Sequence, residues 1–151
     1  MAAVIFGRLA AAAGPRLTPE SILKLRPARM RSLGLSAQKT AYIRDLARHT
    51  RDRRIVFEEL TALPDGEVLE RLTQVKGIGP WTVHMFLIFA LQRPDVLPTG
   101  DLGIRNAIRK AYGMGELPAP AEVEALALKW RPYCSIASWY LWRSLESNAN
   151  L

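Results

Sequence analysis

Leu72-Thr73-Gln74-Val75-Lys76-Gly77-Ile78-Gly79-Pro80-Trp81-Thr82 joins two helical patterns through a turn that holds two glycines. Ahead of it, Asp65-Gly66-Glu67 opens a helix with Val68, Leu69, Leu72 and Val75 on its apolar stripe. Beyond it, Trp81 to Leu91 is almost wholly apolar, which predicts a helix buried on most sides. Glycine lets the backbone turn abruptly and approach another molecule with no Cβ in the way. The amides after the turn start a helix, where free donors and the dipole both favour an anion. Ile78, between the glycines, is expected to anchor the turn in the core. On these residues alone the segment is equally an ordinary corner between two helices. A dinucleotide fingerprint fits worse, because a third glycine is missing and a helix, not a strand, precedes the turn.

Outward from the turn, the chain reads as short helices with tight joints. Val4, Ile5, Leu9 and Ala12 or Ala13 recur at helical spacing, with Arg8 among them. This start reads better as an amphipathic helix than as a signal peptide, and with no acid before Glu20 an organelle address stays open. Thr18-Pro19-Glu20 is a helix start: a capping hydroxyl, a first-turn proline, and an acid near the positive dipole end. Gly34-Leu35-Ser36 closes one helix and caps the next, in which Ala41, Tyr42, Asp45 and Leu46 begin a two-sided pattern running to His49. Asp101 starts a basic helix through Tyr112, Pro118 and Pro120 precede one from about Glu122 to Trp130, and Pro132 introduces the last. No alternating strand pattern and no fixed-period repeat is found. The expected fold is all-α, one domain over residues 1–151.

Composition bounds the chemistry. With 49% apolar and 23% charged residues among 151, the chain has material for one core. No run approaches the roughly 18 apolar residues of a bilayer-crossing helix, so no membrane partner is expected. A lone cysteine, Cys134, excludes an internal disulfide, a Cys-rich zinc site and an iron–sulfur cluster, and suits a reducing intracellular compartment. Twenty-one Lys and Arg against fourteen Asp and Glu leave +7, spread along the chain, which raises the expectation of a polyanionic partner. His49 and His84 lack ligand-spaced partners, so no catalytic metal is expected. Cys134 is read as an inert thiol, and Arg51-Asp52-Arg53-Arg54 as solvated surface.

Asp101 follows Leu97-Pro98-Thr99-Gly100 and precedes Leu102-Gly103-Ile104-Arg105. Locally it is a helix N-cap. That position also favours an ionised carboxylate, so the same residue can hold a negative charge ready beside a developing positive one.

Lys76 to Thr82, then Pro94-Asp95-Val96-Leu97-Pro98, then Gly100 to Arg105 resemble the helix-hairpin-helix/Gly-Pro-Asp superfamily of DNA base-excision glycosylases. The likeness is to its 3-methyladenine DNA glycosylase II branch and extends over most of the chain. Leu33-Gly34-Leu35-Ser36 with Lys39 supports it upstream, and Lys129 to Tyr133 with Ser138 to Trp142 downstream. It implies a monofunctional glycosylase hydrolysing the N-glycosidic bond of alkylated purines such as 3-methyladenine, acting without cofactor, as a monomer, on double-stranded DNA with a damaged base. Such a protein works inside the cell, in a nucleus or a bacterial nucleoid.

Residue by residue, the resemblance places Asp101 on the catalytic aspartate and Lys76, Gly77, Ile78, Gly79, Pro80 and Thr82 on the phosphate-binding hairpin. The hairpin carbonyls of such relatives can also hold a monovalent cation. Trp81 stands where bifunctional relatives carry a Schiff-base lysine, so a β-lyase route is not available there. Trp142 falls near a pocket tryptophan. Trp139 is read as core, Trp142 as either core or pocket, and Trp81 as pocket.

The hairpin and Asp101 are expected to face one flipped-out nucleotide together. The relatives have further helices before the point matching Met1, including the residue that replaces the extruded base. The expectation is therefore a domain incomplete at its N-terminus, with two alternatives to a working enzyme: a non-catalytic DNA-binding module and an inactive truncated glycosylase.

Overall fold

The computed structural model describes residues 2–147, which lie in two compact units dividing between Gly79 and Pro80. Helices are the only regular elements among the described residues. Met1, at which the likeness to relatives begins, lies outside them.

In the first unit α1 spans Ala2–Ala13, α2 Pro19–Lys24, α3 Pro27–Ser32, α4 Ala37–Arg51, α5 Phe57–Leu60 and α6 Asp65–Thr73. The joints work as their residues dictate. Thr18 accepts from the Ser21 amide at 3.2 Å while Ser21 Oγ accepts from the Thr18 amide at 2.9 Å, a reciprocal cap. Gly34, at φ +106°, ends α3 in a conformation that only glycine adopts freely, and Ser36 then caps α4 through the Lys39 amide. Arg44 donates to the carbonyls of Leu23 and Leu25, tying the end of α2 to α4. Leu9, Ile22, Met30, Leu33, Leu35 and Ala47 form the core here. Val4 is exposed, so the stripe of α1 is narrower than its apolar spacing predicts.

In the second unit α7 runs Pro80–Met85 and widens into a π-turn over Phe86–Ala90. There the Leu91 amide donates to the Phe86 carbonyl at 3.0 Å. Next come α8 (Leu102–Ala111), α9 (Pro120–Ala127), a 3-10 turn at Leu128–Trp130, and α10 (Cys134–Ser147). Glu122 caps α9 by accepting from the Ala119 amide at 2.7 Å. Asp95 caps α10 from outside, accepting from the Cys134 amide at 3.2 Å and pairing with Arg131 at 2.7 Å. Ile104, Ile108 and Val123 form a core cluster, with Leu141 and Trp142 packed on it.

Two expectations fail in this unit. The helix from Trp81 is not buried on most sides: Val83 and Leu87 are buried, while Trp81 and Phe89 are more than half exposed. Apolar composition gave no phase, and the π-turn breaks the stripe that a regular helix would keep. Trp139 is not a core residue either. It is exposed on α10, edge-on to Tyr140 and beneath Arg143, because Leu141 and Trp142 take the inward positions.

Candidate active site

Asp101 is the N-cap of α8. Its backbone is extended and its Oδ1 accepts from the Ile104 amide at 2.7 Å. The side chain has a second set of partners. Oδ2 accepts from the Trp81 indole Nε1 at 2.6 Å, and Oδ1 from the Trp142 Nε1 at 3.1 Å. The cap role read from sequence is present, and the same carboxylate, expected from sequence to be reactive, carries an indole on each oxygen. The residue is 8% exposed. Burial pushes its pKa up, but the bonds from Trp81, Ile104, Trp142 and the Gly103 amide outweigh it and hold the carboxyl below its ordinary value. The result is a fixed negative charge framed by aromatic rings. Such a group can stabilise a cation forming beside it or take a proton from water.

Phe89 stacks on Trp142, with ring centroids 5.9 Å apart and planes at 28°. Gly103 lies under the same indole: a Cβ there would come 3.0 Å from Asp101 Oδ1 and 3.3 Å from Trp142 Cδ1. Sequence reasoning gave neither residue a role. A glycine inside the first turn of a helix, with no bend to make, was the available signal at 103.

The hairpin is built in the first unit as far as Gly79. The Val75 amide donates to Leu72 O and the Ile78 amide to Val75 O, both at 3.1 Å, closing the turn after α6. Gly77 sits at φ +82°, and any Cβ there would fall inside the Tyr42 ring. The Lys76 amide donates to Asp45 Oδ2 at 2.9 Å, fixing the turn to α4. That bond is the first cause holding Asp45 below its ordinary pKa, with His49, Lys76 and Arg48 adding to it against burial. Asp45 and Tyr42 were legible only as members of a two-sided helix. Ile78 is half-buried rather than a full anchor, while Lys76, Gly77, Pro80 and Thr82 are exposed, open to a partner. No three His, Cys, Asp or Glu among the described residues come together to hold a metal ion.

The remaining candidates keep their plain readings. His49 Nδ1 lies 3.0 Å from the Asp45 carbonyl. Cys134 is buried, its thiol pushed up to about 11 by burial and by Asp95. Asp52 pairs with Arg51 and Arg54 at the surface.

Residues 1–132 match the profile of the HhH-GPD superfamily base excision DNA repair proteins. DNA-3-methyladenine glycosylase 1 of Schizosaccharomyces pombe is 41% identical over 128 residues, covering 84% of this chain and 56% of that protein. The solved S. pombe 3-methyladenine DNA glycosylase Mag1, in complex with abasic DNA, superposes with a TM-score of 0.85 at 38% identity, over 96% of this chain and 72% of that one. A DNA-3-methyladenine glycosidase from Bacillus halodurans gives 0.87 at 36% identity, over 98% and 69%. The chain spans 45% to 60% of the length of three curated relatives it matches.

Proposed function

Because the chain belongs to the HhH-GPD superfamily of base excision DNA repair proteins, we propose that it is a monofunctional DNA glycosylase for alkylated purines such as 3-methyladenine. The observation that carries this reading is the Asp101 carboxylate, held ionised with an indole N–H on each oxygen.

Breaking the bond between a base and its deoxyribose leaves positive charge on the sugar. A carboxylate fixed nearby stabilises that charge and accepts the proton of the attacking water. The water oxygen joins the sugar carbon and the base leaves with the bonding pair. The base must first leave the stack, which costs a few kcal/mol. An alkylated purine is often cationic, and a tryptophan face attracts such a ring by about 0.5–2 kcal/mol. Trp81, more than half exposed and bonded to Asp101, supplies such a face, while Trp142 borders the site through its N–H on the same carboxylate. Trp81 carries no nucleophilic amine, so hydrolysis rather than lyase chemistry follows at that position.

The hairpin Lys76–Pro80 takes the DNA backbone. Gly77 and Gly79 keep the turn free of side chains, and a monovalent cation on its carbonyls would add to the attraction for phosphate. The protein acts as a monomer on double-stranded DNA inside the cell and needs no organic cofactor.

The test is base release from methylated duplex DNA, with duplex binding measured alongside. The reading expects release by the natural chain, none by Asp101→Asn, and DNA binding by both. Binding with no release by either points to a DNA-binding module. A covalent adduct trapped by borohydride points to a lyase.

A further inference from the structure

Hydrolysis as described uses Asp101, Trp81 and Trp142 and leaves Phe89 without a task. Yet Phe89 is 58% exposed, so burial does not account for where its ring sits. What it stacks on is Trp142, in an offset pair with centroids 5.9 Å apart and planes at 28°. Trp142 stands on α10, 41 residues from Asp101, and reaches the carboxylate through one 3.1 Å bond at the edge of its ring. Packing on Ile104, Ile108 and Val123 and the closeness of Gly103 already limit this indole, and the Phe89 ring stacked on it restrains the motion that is left.

The π-turn explains how Phe89 gets there. It inserts one residue into the turn from Phe86 to Ala90, and in a helix each residue turns the face by about 100°. A regular helix through the same residues would aim this ring elsewhere.

We propose that Phe89 is a positioning residue for glycosidic cleavage: delivered by the π-turn, its ring stacks on Trp142 and holds that indole N–H on Asp101. The effect on rate rests on the glycosylase reading; the effect on the indole does not.

Two measurements on the full chain separate them. The first is hydrogen exchange of the Trp142 indole N–H, its resonance identified by its loss in Trp142→Phe. The second is single-turnover base release from methylated duplex, with duplex affinity measured in parallel. Phe89→Leu keeps apolar bulk without a ring and is expected to speed exchange and slow release, each about five- to tenfold, with affinity unchanged. Phe89→Tyr keeps the ring and should restore both. Phe89→Ala is the harsher version, and Phe89→Leu carries the test should that variant not fold.

Exchange in Phe89→Leu equal to the natural chain overturns the proposal, whatever happens to release. A Tyr variant as impaired as Leu also overturns it. Faster exchange in Phe89→Leu, restored in Phe89→Tyr, with no base release even by the natural chain, upholds the positioning role and removes the glycosylase reading instead.

Discussion

The indole nitrogen of Trp81 donates to Oδ2 of Asp101 at 2.6 Å. This bond joins the tryptophan that follows the hairpin to the acid that begins α8, and it runs to an oxygen other than the one capping the helix at Ile104. Asp101 therefore caps α8 through Oδ1 while Oδ2 is left to hold the Trp81 indole. It also gives Trp81 a reason to stay at the surface, where an unbonded ring of that size would be expected to pack inward.

Trp81→Phe keeps the ring and deletes the donor. The lowered Asp101 pKa should move up towards its ordinary value, so the acid limb of the base-release profile should shift to higher pH. An unmoved limb would show that the other donors alone set the carboxylate.

Asp101→Asn should lower stability at neutral pH by about 1–2 kcal/mol, since a neutral amide is a good cap but cannot accept from both indoles as an anion does. The sign with pH follows from a depressed folded-state pKa. The advantage of the natural chain is present above the ordinary carboxyl pKa and disappears as pH falls through the lowered one. Denaturation curves of both proteins from pH 7 to pH 2 check this.

Gly77→Ala and Gly79→Ala should part company. At 77 the new Cβ meets the Tyr42 ring and the left-handed backbone, so we expect a loss above about 2 kcal/mol, with DNA affinity falling because the turn is damaged. At 79 the Cβ meets nothing within 4 Å. That variant should melt like the natural chain, and any loss of duplex affinity then reports a close approach of DNA to the backbone. Equal melting of the two variants would contradict the Tyr42 contact.

Gly103→Ala combines opposed effects. Alanine favours the helix by about 1 kcal/mol, but its Cβ would sit 3.0 Å from Asp101 Oδ1 and 3.3 Å from the Trp142 ring. Stability should change by less than about 1 kcal/mol while base release falls about tenfold, as expected for a disturbed donor beside the reacting group. Unchanged release at unchanged stability would mean the indole is not needed on the carboxylate.

Asp45→Ala removes a negative charge from a basic protein, which by charge alone should strengthen DNA binding. The structure gives the opposite expectation, because the Lys76 amide loses its 2.9 Å acceptor and the hairpin its tie to α4. Weaker duplex binding at moderate salt checks which effect dominates.

Whatever depends on residues close together in the chain was legible in the sequence itself. Thr18, Ser36 and Asp101 cap helices because a short oxygen-bearing side chain can reach an amide three residues on. Gly34 and Gly77 mark turns because the backbone there needs a left-handed φ. The helical class and the hairpin follow from such local rules, and the ordered motifs carry the family. Packing decided the rest. Which ring donates to Asp101, which ring stacks on Trp142 and which carboxylate holds the hairpin join residues 20 or more positions apart. An apolar run or a scattered tryptophan has no direction until the helix phase, here altered by a π-turn, and the neighbouring helices turn one face inward. For that reason Trp139 and Trp142, three residues apart on one helix, end in different environments, the first exposed and the second half-buried against the core.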